Sequence, residues 1–254
     1  MKVVAFVPAR MGSSRFPGKP LAKIMGRTMI EHCYRRTAMC PLIDETYVAT
    51  CDEEIAQAVE EFGGKFVMTA NTHERASDRI AEAIASIDCD IAVLVQGDEP
   101  MILPQMVTAA VEPMLNDVSI ACVNLTKRIN TEEEFLDPNC IKTVIAQNGD
   151  ALCFSRQPIP YAGLEGFENI MAYKQVCIIP FRKDALLKYT ELAPTPGEIA
   201  ESVDMMRFLE HGIPVRMIET PHNSHAVDTP EDLKNVTAMM EKDPFVAETL
   251  KHQI

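Results

Sequence analysis

The chain has 254 residues, of which 47% are hydrophobic and 24% charged, and a formal net charge of −13 at pH 7. That length supports one large domain, or a domain with a small appendage, around a sizeable core. The acidic balance excludes broad binding to nucleic acid or to a membrane surface, and no apolar run approaches the roughly 20 residues of a membrane helix.

Residues 3–7 are an uninterrupted run of Val3, Val4, Ala5, Phe6 and Val7, the pattern of a strand buried on both faces. Pro8 has no amide hydrogen for a ladder, so the strand is expected to stop there. A loop follows, with Arg10, Arg15 and Lys19 set among Gly12, Ser13, Ser14, Pro17 and Gly18. Small residues let backbone amides approach an anion, and the cations neutralise what they cradle. The loop is therefore expected to bind a polyphosphate in the crevice at the strand's carboxyl end. It lacks both G-x-x-x-x-G-K-[ST] and G-x-G-x-x-G, so it is neither a P-loop nor an ordinary dinucleotide loop.

A helix is expected over 28–37, a strand over 45–50, a helix over 52–62 with Asp52 as its N-cap, a stop at Gly63-Gly64, and a strand over 65–68. This alternation predicts a parallel, doubly wound α/β sheet whose right-handed crossovers gather the strand ends and the first loop on one side. A helix over 80–87, capped by Ser77 or Asp78, points its N-terminus at the same crevice. Residues 91–95 read as a buried strand running into Gln96-Gly97-Asp98-Glu99-Pro100. Asp98 then lies beside the anion loop, where a carboxylate next to a triphosphate suits Mg²⁺.

Farther on come a helix over 105–115, a strand over 119–125 and a polar stretch over 130–138 whose glutamates read as solvated helix surface. A hairpin of 141–145 and 151–155 turns at Asn148-Gly149, a helix runs over 198–211, a strand over 215–218, and Thr229-Pro230 begins a final helix. Arg156 is a candidate for bidentate pairing with a substrate carboxylate. His222 and His225 receive no role. The eight cysteines show no zinc-ligand spacing and read as reduced thiols of a cytoplasmic protein. A core strand beginning at residue 3 leaves no room for a signal peptide.

The strings 8–21, 96–100 and 227–233, joined by 154–160, resemble in order the motifs of the CMP-Kdo synthetase family of sugar-acid cytidylyltransferases. The resemblance implies a Rossmann-like, nucleotidyltransferase-type α/β fold with a small antiparallel subdomain. It implies one domain over 1–254, in which 130–215 contribute the sugar-acid pocket and a homodimer interface. The implied reaction transfers CMP from CTP to the anomeric hydroxyl of Kdo or a modified relative, with Mg²⁺ as cofactor and pyrophosphate as product, for lipopolysaccharide or another surface glycan. By the same resemblance, Pro8, Ala9, Arg10, Gly12, Ser13, Lys19, Ser77, Arg79 and Asp98 contact the nucleotide. Arg10, Arg15, Lys19 and Asp98 carry catalysis, and Asp98 and Asp228 hold the metal. Gln96, Arg156, Gln175, Glu198 and Glu201 face the sugar acid. The chain departs from the family pattern at Arg75-Ala76, where the family has Ser-Gly, and at Gln175, where it has a histidine, which allows an acceptor other than Kdo itself. A nucleotidyltransferase for another acceptor, such as a sugar phosphate or phosphonate, and a non-catalytic nucleotide-binding protein both stay open on the residues alone.

Overall fold

The apolar run near the N-terminus forms β1 (Val3–Ala9), which is central to its sheet. The computed structural model describes residues 1–13, 15–164 and 166–251, and the chain divides into two units, Met1–Thr108 with Asn223–Ile254 and Ala109–His222.

In the first unit β1 leads through a 3-10 turn, Lys19–Leu21, into the short pair β2 (Lys23–Ile24) and β3 (Arg27–Thr28). Next come α1 (Met29–Ala38), β4 (Glu45–Thr50), α2 (Glu53–Glu61), β5 (Lys65–Met68), α3 (Ala76–Ala83) and β6 (Ile91–Val95). The order β6-β1-β4-β5 is parallel at every pairing, so the expected doubly wound sheet is present and its strands end along one edge. The first strand does not stop at Pro8: Pro8 pairs with Ala49 and Ala9 with Thr50. The ladder to β6 ends at Phe6, so Pro8 sits at an edge position on that side, where a missing amide is tolerated. The helix expected from residue 80 starts at Ala76, because Ser77, Ile80, Ala81 and Ile84 form one buried stripe at helical spacing that recruits the earlier turn. Ser77 and Asp78 therefore lie inside it, and Arg75 holds the N-cap position.

After α4 (Pro104–Asn116), the second unit contains β7 (Val123–Arg128), α5 (Glu132–Leu136), β8 (Lys142–Ile145), β9 (Ala151–Ser155), β10 (Tyr173–Val176), β11 (Ile178–Arg182), α6 (Lys183–Glu191), α7 (Pro196–Glu201), α8 (Met205–Glu210) and β12 (Arg216–Glu219). Its sheet runs β12-β7-β10-β8-β9, antiparallel except for the β12–β7 pair. The β8–β9 hairpin turns at Gly149, where φ is +86°. β7 begins later than expected because Asp117 accepts the amide and hydroxyl of Ser119 and turns the chain there. The single helix expected over 198–211 is two, broken at Ser202 with φ +56°. The break brings Arg207 of α8 back onto Glu198 of α7.

The chain returns to the first unit with α9 (Pro230–Met240) and α10 (Phe245–Lys251). Thr229 and Asp232 form a capping box on α9, with Pro230 at its first position. Val227, Val236 and Met240 share one core with Val7, Ile30 and Val48, so both ends of the chain build this unit.

Candidate active site

A cleft of about 460 Å³ opens in the first unit where β1 and β6 end. Its floor is Pro8, Ala9, Gln96, Gly97 and Asp98, and the basic loop contributes Arg10, Gly12, Ser13, Arg15 and Lys19. His73, Arg75 and Arg79 line it from the start of α3, and Asp228 comes from the turn before α9. Gly97 is required by crowding, since a Cβ there would lie 2.5 Å from the Pro8 carbonyl oxygen. The loop folds on itself: the Met11 carbonyl accepts the amides of Ser13 at 2.9 Å and Gly18 at 3.1 Å, and Gly18 has φ +72°.

Lys19 is the centre of the charge arrangement. Its Nζ donates to Asp98 Oδ2 at 2.7 Å, Asp228 Oδ1 at 3.0 Å and the Val227 carbonyl at 3.1 Å. Arg15 Nη2 lies 3.0 Å from Asp228 Oδ2. The two acidic turns are also tied through the backbone, because the Val227 amide donates to the Asp98 carbonyl at 2.8 Å. Burial pushes the Lys19 ammonium down, but the Asp98 and Asp228 carboxylates outweigh it and hold its pKa above the usual 10.5. Lys19 is thus a firmly charged cation between two carboxylates. Among the described residues no group of three or more His, Cys, Asp or Glu side chains gathers as a metal centre. A pair of carboxylates facing a cleft lined by Arg10 and Arg15 is nonetheless a donor set that suits a hard divalent cation, which takes oxygen ligands. The ammonium marks the point where the pair already concentrates positive charge.

The remaining expected residues are placed unevenly. Gln96 lines the cleft of the first unit. Arg79 lines it too, although only 3% exposed, and donates to Thr69 Oγ1 and the Ala70 carbonyl, which fixes the segment before α3. Ser77 is fully buried and is not part of the cleft wall. Ser14 lies outside the described residues. In the second unit the Arg156 guanidinium is committed to carbonyls rather than held out as a fork: Nε donates to Glu201 O at 2.7 Å and Nη1 to Pro138 O at 3.0 Å. The Glu201 carboxylate accepts the Ser155 hydroxyl and the Arg156 amide, both at 2.7 Å. Glu198 is 1% exposed, with its two oxygens each 2.6 Å from Arg207 nitrogens, so it is neither solvated surface nor an open ligand contact. Gln175 donates through Nε2 to Asn124 Oδ1 at 2.6 Å, and Asn124 is itself fixed by donating to the carbonyls of Leu125 and Val176.

Three residues near the cleft were not foreseen in their roles. His73, whose Nε2 pairs with Glu82, and Arg75 line the wall, and their polar stretch before α3 was the only signal. Asp52 accepts the Met11 amide at 2.8 Å and makes no side-chain cap on α2, although its place in the sequence reads as a cap.

A family model described as cytidylyltransferase matches residues 4–225. The chain is 45% identical over 251 residues to a 3-deoxy-manno-octulosonate cytidylyltransferase of Geobacter metallireducens, spanning 95% of this chain and 99% of that protein. It is 42% identical over 240 residues to a protein of the same name from Myxococcus xanthus, spanning 94% and 96%. A solved structure of CMP:2-keto-3-deoxy-manno-octonic acid synthetase complexed with CTP matches with a TM-score of 0.90 and 40% identity, over 95% of this chain and 99% of that one. A cytidylyltransferase from Leptospira borgpetersenii shares the fold alone, with a TM-score of 0.64 and 18% identity over 96% and 88%. A family match across most of the length, relatives above 40% identity over nearly whole chains and a near-superposable structure lead to one statement: this chain belongs to the cytidylyltransferase family.

Proposed function

We propose that the protein transfers CMP from CTP to the anomeric hydroxyl of 3-deoxy-manno-octulosonate (Kdo) and releases pyrophosphate. The observation that carries this reading is the convergence of Lys19, Asp98 and Asp228 on one point of a cleft also lined by Arg10 and Arg15. The acceptor is taken from the relatives named for that activity at 42–45% identity.

Arg10, Arg15 and Lys19 bind the triphosphate and stabilise the charge that develops on the leaving pyrophosphate. Small residues at Gly12 and Ser13 leave room for the phosphates against the loop backbone. His73, Arg75 and Arg79 flank the nucleoside from the start of α3. The acceptor hydroxyl attacks the α-phosphorus in one displacement, with no covalent enzyme intermediate. Asp98 and Asp228 would hold the divalent ion, which we take to be Mg²⁺; when bound it neutralises α-phosphate charge and aligns the nucleophile. Lys19 then turns from the carboxylates to phosphate oxygens, whose negative charge replaces that of Asp98 and Asp228 in holding the ammonium charged.

We read residues 1–254 as one nucleotidyltransferase domain in which 130–215 supply the acceptor pocket and the dimer contact. Gln175 and Glu201 are our candidates for sugar-acid contact, with Arg156 and Glu198 holding the turns behind them. Leu152, Tyr161, Leu164, Met171 and Ile199 are exposed apolar side chains of the same stretch and suit burial in a homodimer. All eight cysteines are free, which fits a reducing, cytoplasmic setting. No helix among the described residues is long and apolar enough to cross a membrane.

The test is pyrophosphate release with each of the four nucleoside triphosphates against a panel of sugar acids, sugar phosphates and phosphonates. Release is expected with CTP and Kdo. Preference for another nucleotide or acceptor refutes the assignment, and CTP binding without release on any acceptor refutes catalysis.

A further inference from the structure

Asp52 occupies the N-cap position of α2, where a carboxylate ordinarily accepts an amide from its own helix. It makes no such bond. Its Oδ2 accepts the Met11 amide at 2.8 Å and the Cys51 thiol at 3.6 Å. Its own amide donates to Thr50 Oγ1 at 3.1 Å, which fixes where the carboxylate starts. Asp52 follows the end of β4, the neighbour of β1, so the bond to Met11 ties one strand end to the loop leaving the other.

Met11 is the anchor of that loop. Its side chain packs on the core of the first unit, and its carbonyl gathers the amides of Ser13 and Gly18. Met11 does not line the cleft, yet Arg10, Gly12 and Ser13 on either side of it do. The amide of Met11 is therefore held behind the loop while its neighbours face the ligand space. A carboxylate beside an anion-binding loop works against the ligand's charge, and α2 goes without its side-chain cap. Residues that break a local rule in this way mark places where function, rather than folding alone, has set the choice.

We propose that Asp52 is a positioning residue for nucleotide binding: by holding the Met11 amide it fixes the loop in the shape that presents Arg10, Gly12 and Ser13 to the triphosphate. This rests on the reading of the cleft as the CTP site. The informative variant is Asp52→Ser. Serine caps a helix as well as aspartate does, but its side chain is too short to reach Met11. Helix stability and loop anchoring are thereby separated.

Calorimetry with CTP and Mg²⁺, without acceptor, should show Kd raised roughly tenfold, the scale of a lost hydrogen bond to a charged group. The melting temperature should stay or rise, the KM for the sugar acid should stay, and exchange of the Met11 amide should quicken. Asp52→Asn keeps an acceptor at the same reach and should fall between wild type and Asp52→Ser. A Kd within about twofold of wild type for Asp52→Ser, well below the cost of a charged hydrogen bond, overturns the role, as does tighter binding from relief of repulsion. Should Asp52→Ser not fold, Asp52→Asn decides: unchanged CTP affinity with unchanged Met11 exchange overturns the role. Wild-type protein that binds no CTP removes the reading of the cleft and this role with it; wild-type binding with indifferent variants removes the role alone.

Discussion

Replacing Asp98 by Asn removes one of the two carboxylates beside Lys19, and the structure separates the effect on folding from the effect on rate. The backbone of residue 98 keeps its bond, because the Asp98 carbonyl accepts the Val227 amide at 2.8 Å whatever the side chain is. What changes is the 2.7 Å contact with Lys19, between side chains 13% and 26% exposed. A partly exposed pair of this kind contributes about 1 kcal/mol, and Asn retains an oxygen that can accept from the ammonium. The melting temperature should therefore move by only about 2–4 °C, the shift that 1 kcal/mol produces in a chain of this size. Catalysis should suffer far more. Half of the carboxylate charge proposed to hold the divalent ion is gone, which should cost about 3–5 kcal/mol of transition-state stabilisation, or a factor of roughly 10² to 10⁴ in kcat. The assay is continuous pyrophosphate release at saturating CTP and Kdo, run beside a thermal melt. A kcat within about tenfold of wild type, a loss of only about 1.4 kcal/mol, would refute the role given to the carboxylate. A collapse of the melt would refute the separation of folding from rate.

Gly97→Ala would set a methyl 2.5 Å from the Pro8 carbonyl oxygen, with Ile30 and Val7 carbons at 3.3 and 3.4 Å. Backbone cannot swing aside as a side chain can, so both the melting temperature and CTP affinity should fall; wild-type values for both would contradict the close approach. Glu198→Ala would leave the nearly buried Arg207 guanidinium without its carboxylate and should cost about 3–5 kcal/mol in urea unfolding. Adding Arg207→Met should recover part of that loss, and simple additivity of the two would argue against a coupled pair. Burial holds the His32 imidazole below its usual pKa of 6.5, against a raising contact from the Ile24 carbonyl. As pH falls below 6.5 the unfolded chain takes up the proton first, so stability drops there and is fully present above it. His32→Gln should flatten that part of the stability profile between pH 5 and 8, and an unchanged slope relative to wild type would exclude His32 as its source.

What the sequence made legible is what depends on neighbours along the chain. The buried strand of residues 3–7 announces itself by composition, and the loop after it by small residues and cations at short spacing. The parallel sheet follows from the alternation of elements, and Asp98 from a buried strand that ends in an acidic turn. The illegible parts depend on partners distant in sequence. Ser202 takes a left-handed conformation with no glycine or proline to signal it, alongside the pairing of Glu198 with Arg207 across the break. Pro8 continues β1 because the β6 ladder happens to end before it. Arg156 reads as a partner for a substrate carboxylate, and nothing beside it in sequence shows that its Nε and Nη1 donate to the Glu201 and Pro138 carbonyls. Asp52 reads as a cap because capping is local, whereas its actual partner lies 41 residues earlier.

The first unit is written in two pieces of chain, with Ala109–His222 between them. Lys19 and Asp98 belong to the first piece, and the Val227 backbone and Asp228 carboxylate that meet them belong to the second. A ribosome therefore delivers the cation and one acid long before the other. On the role proposed for the two carboxylates, a translation product that stops ahead of residue 227 leaves Lys19 without the Val227 carbonyl and the Asp228 carboxylate and should not turn CTP over, so activity waits on the second piece.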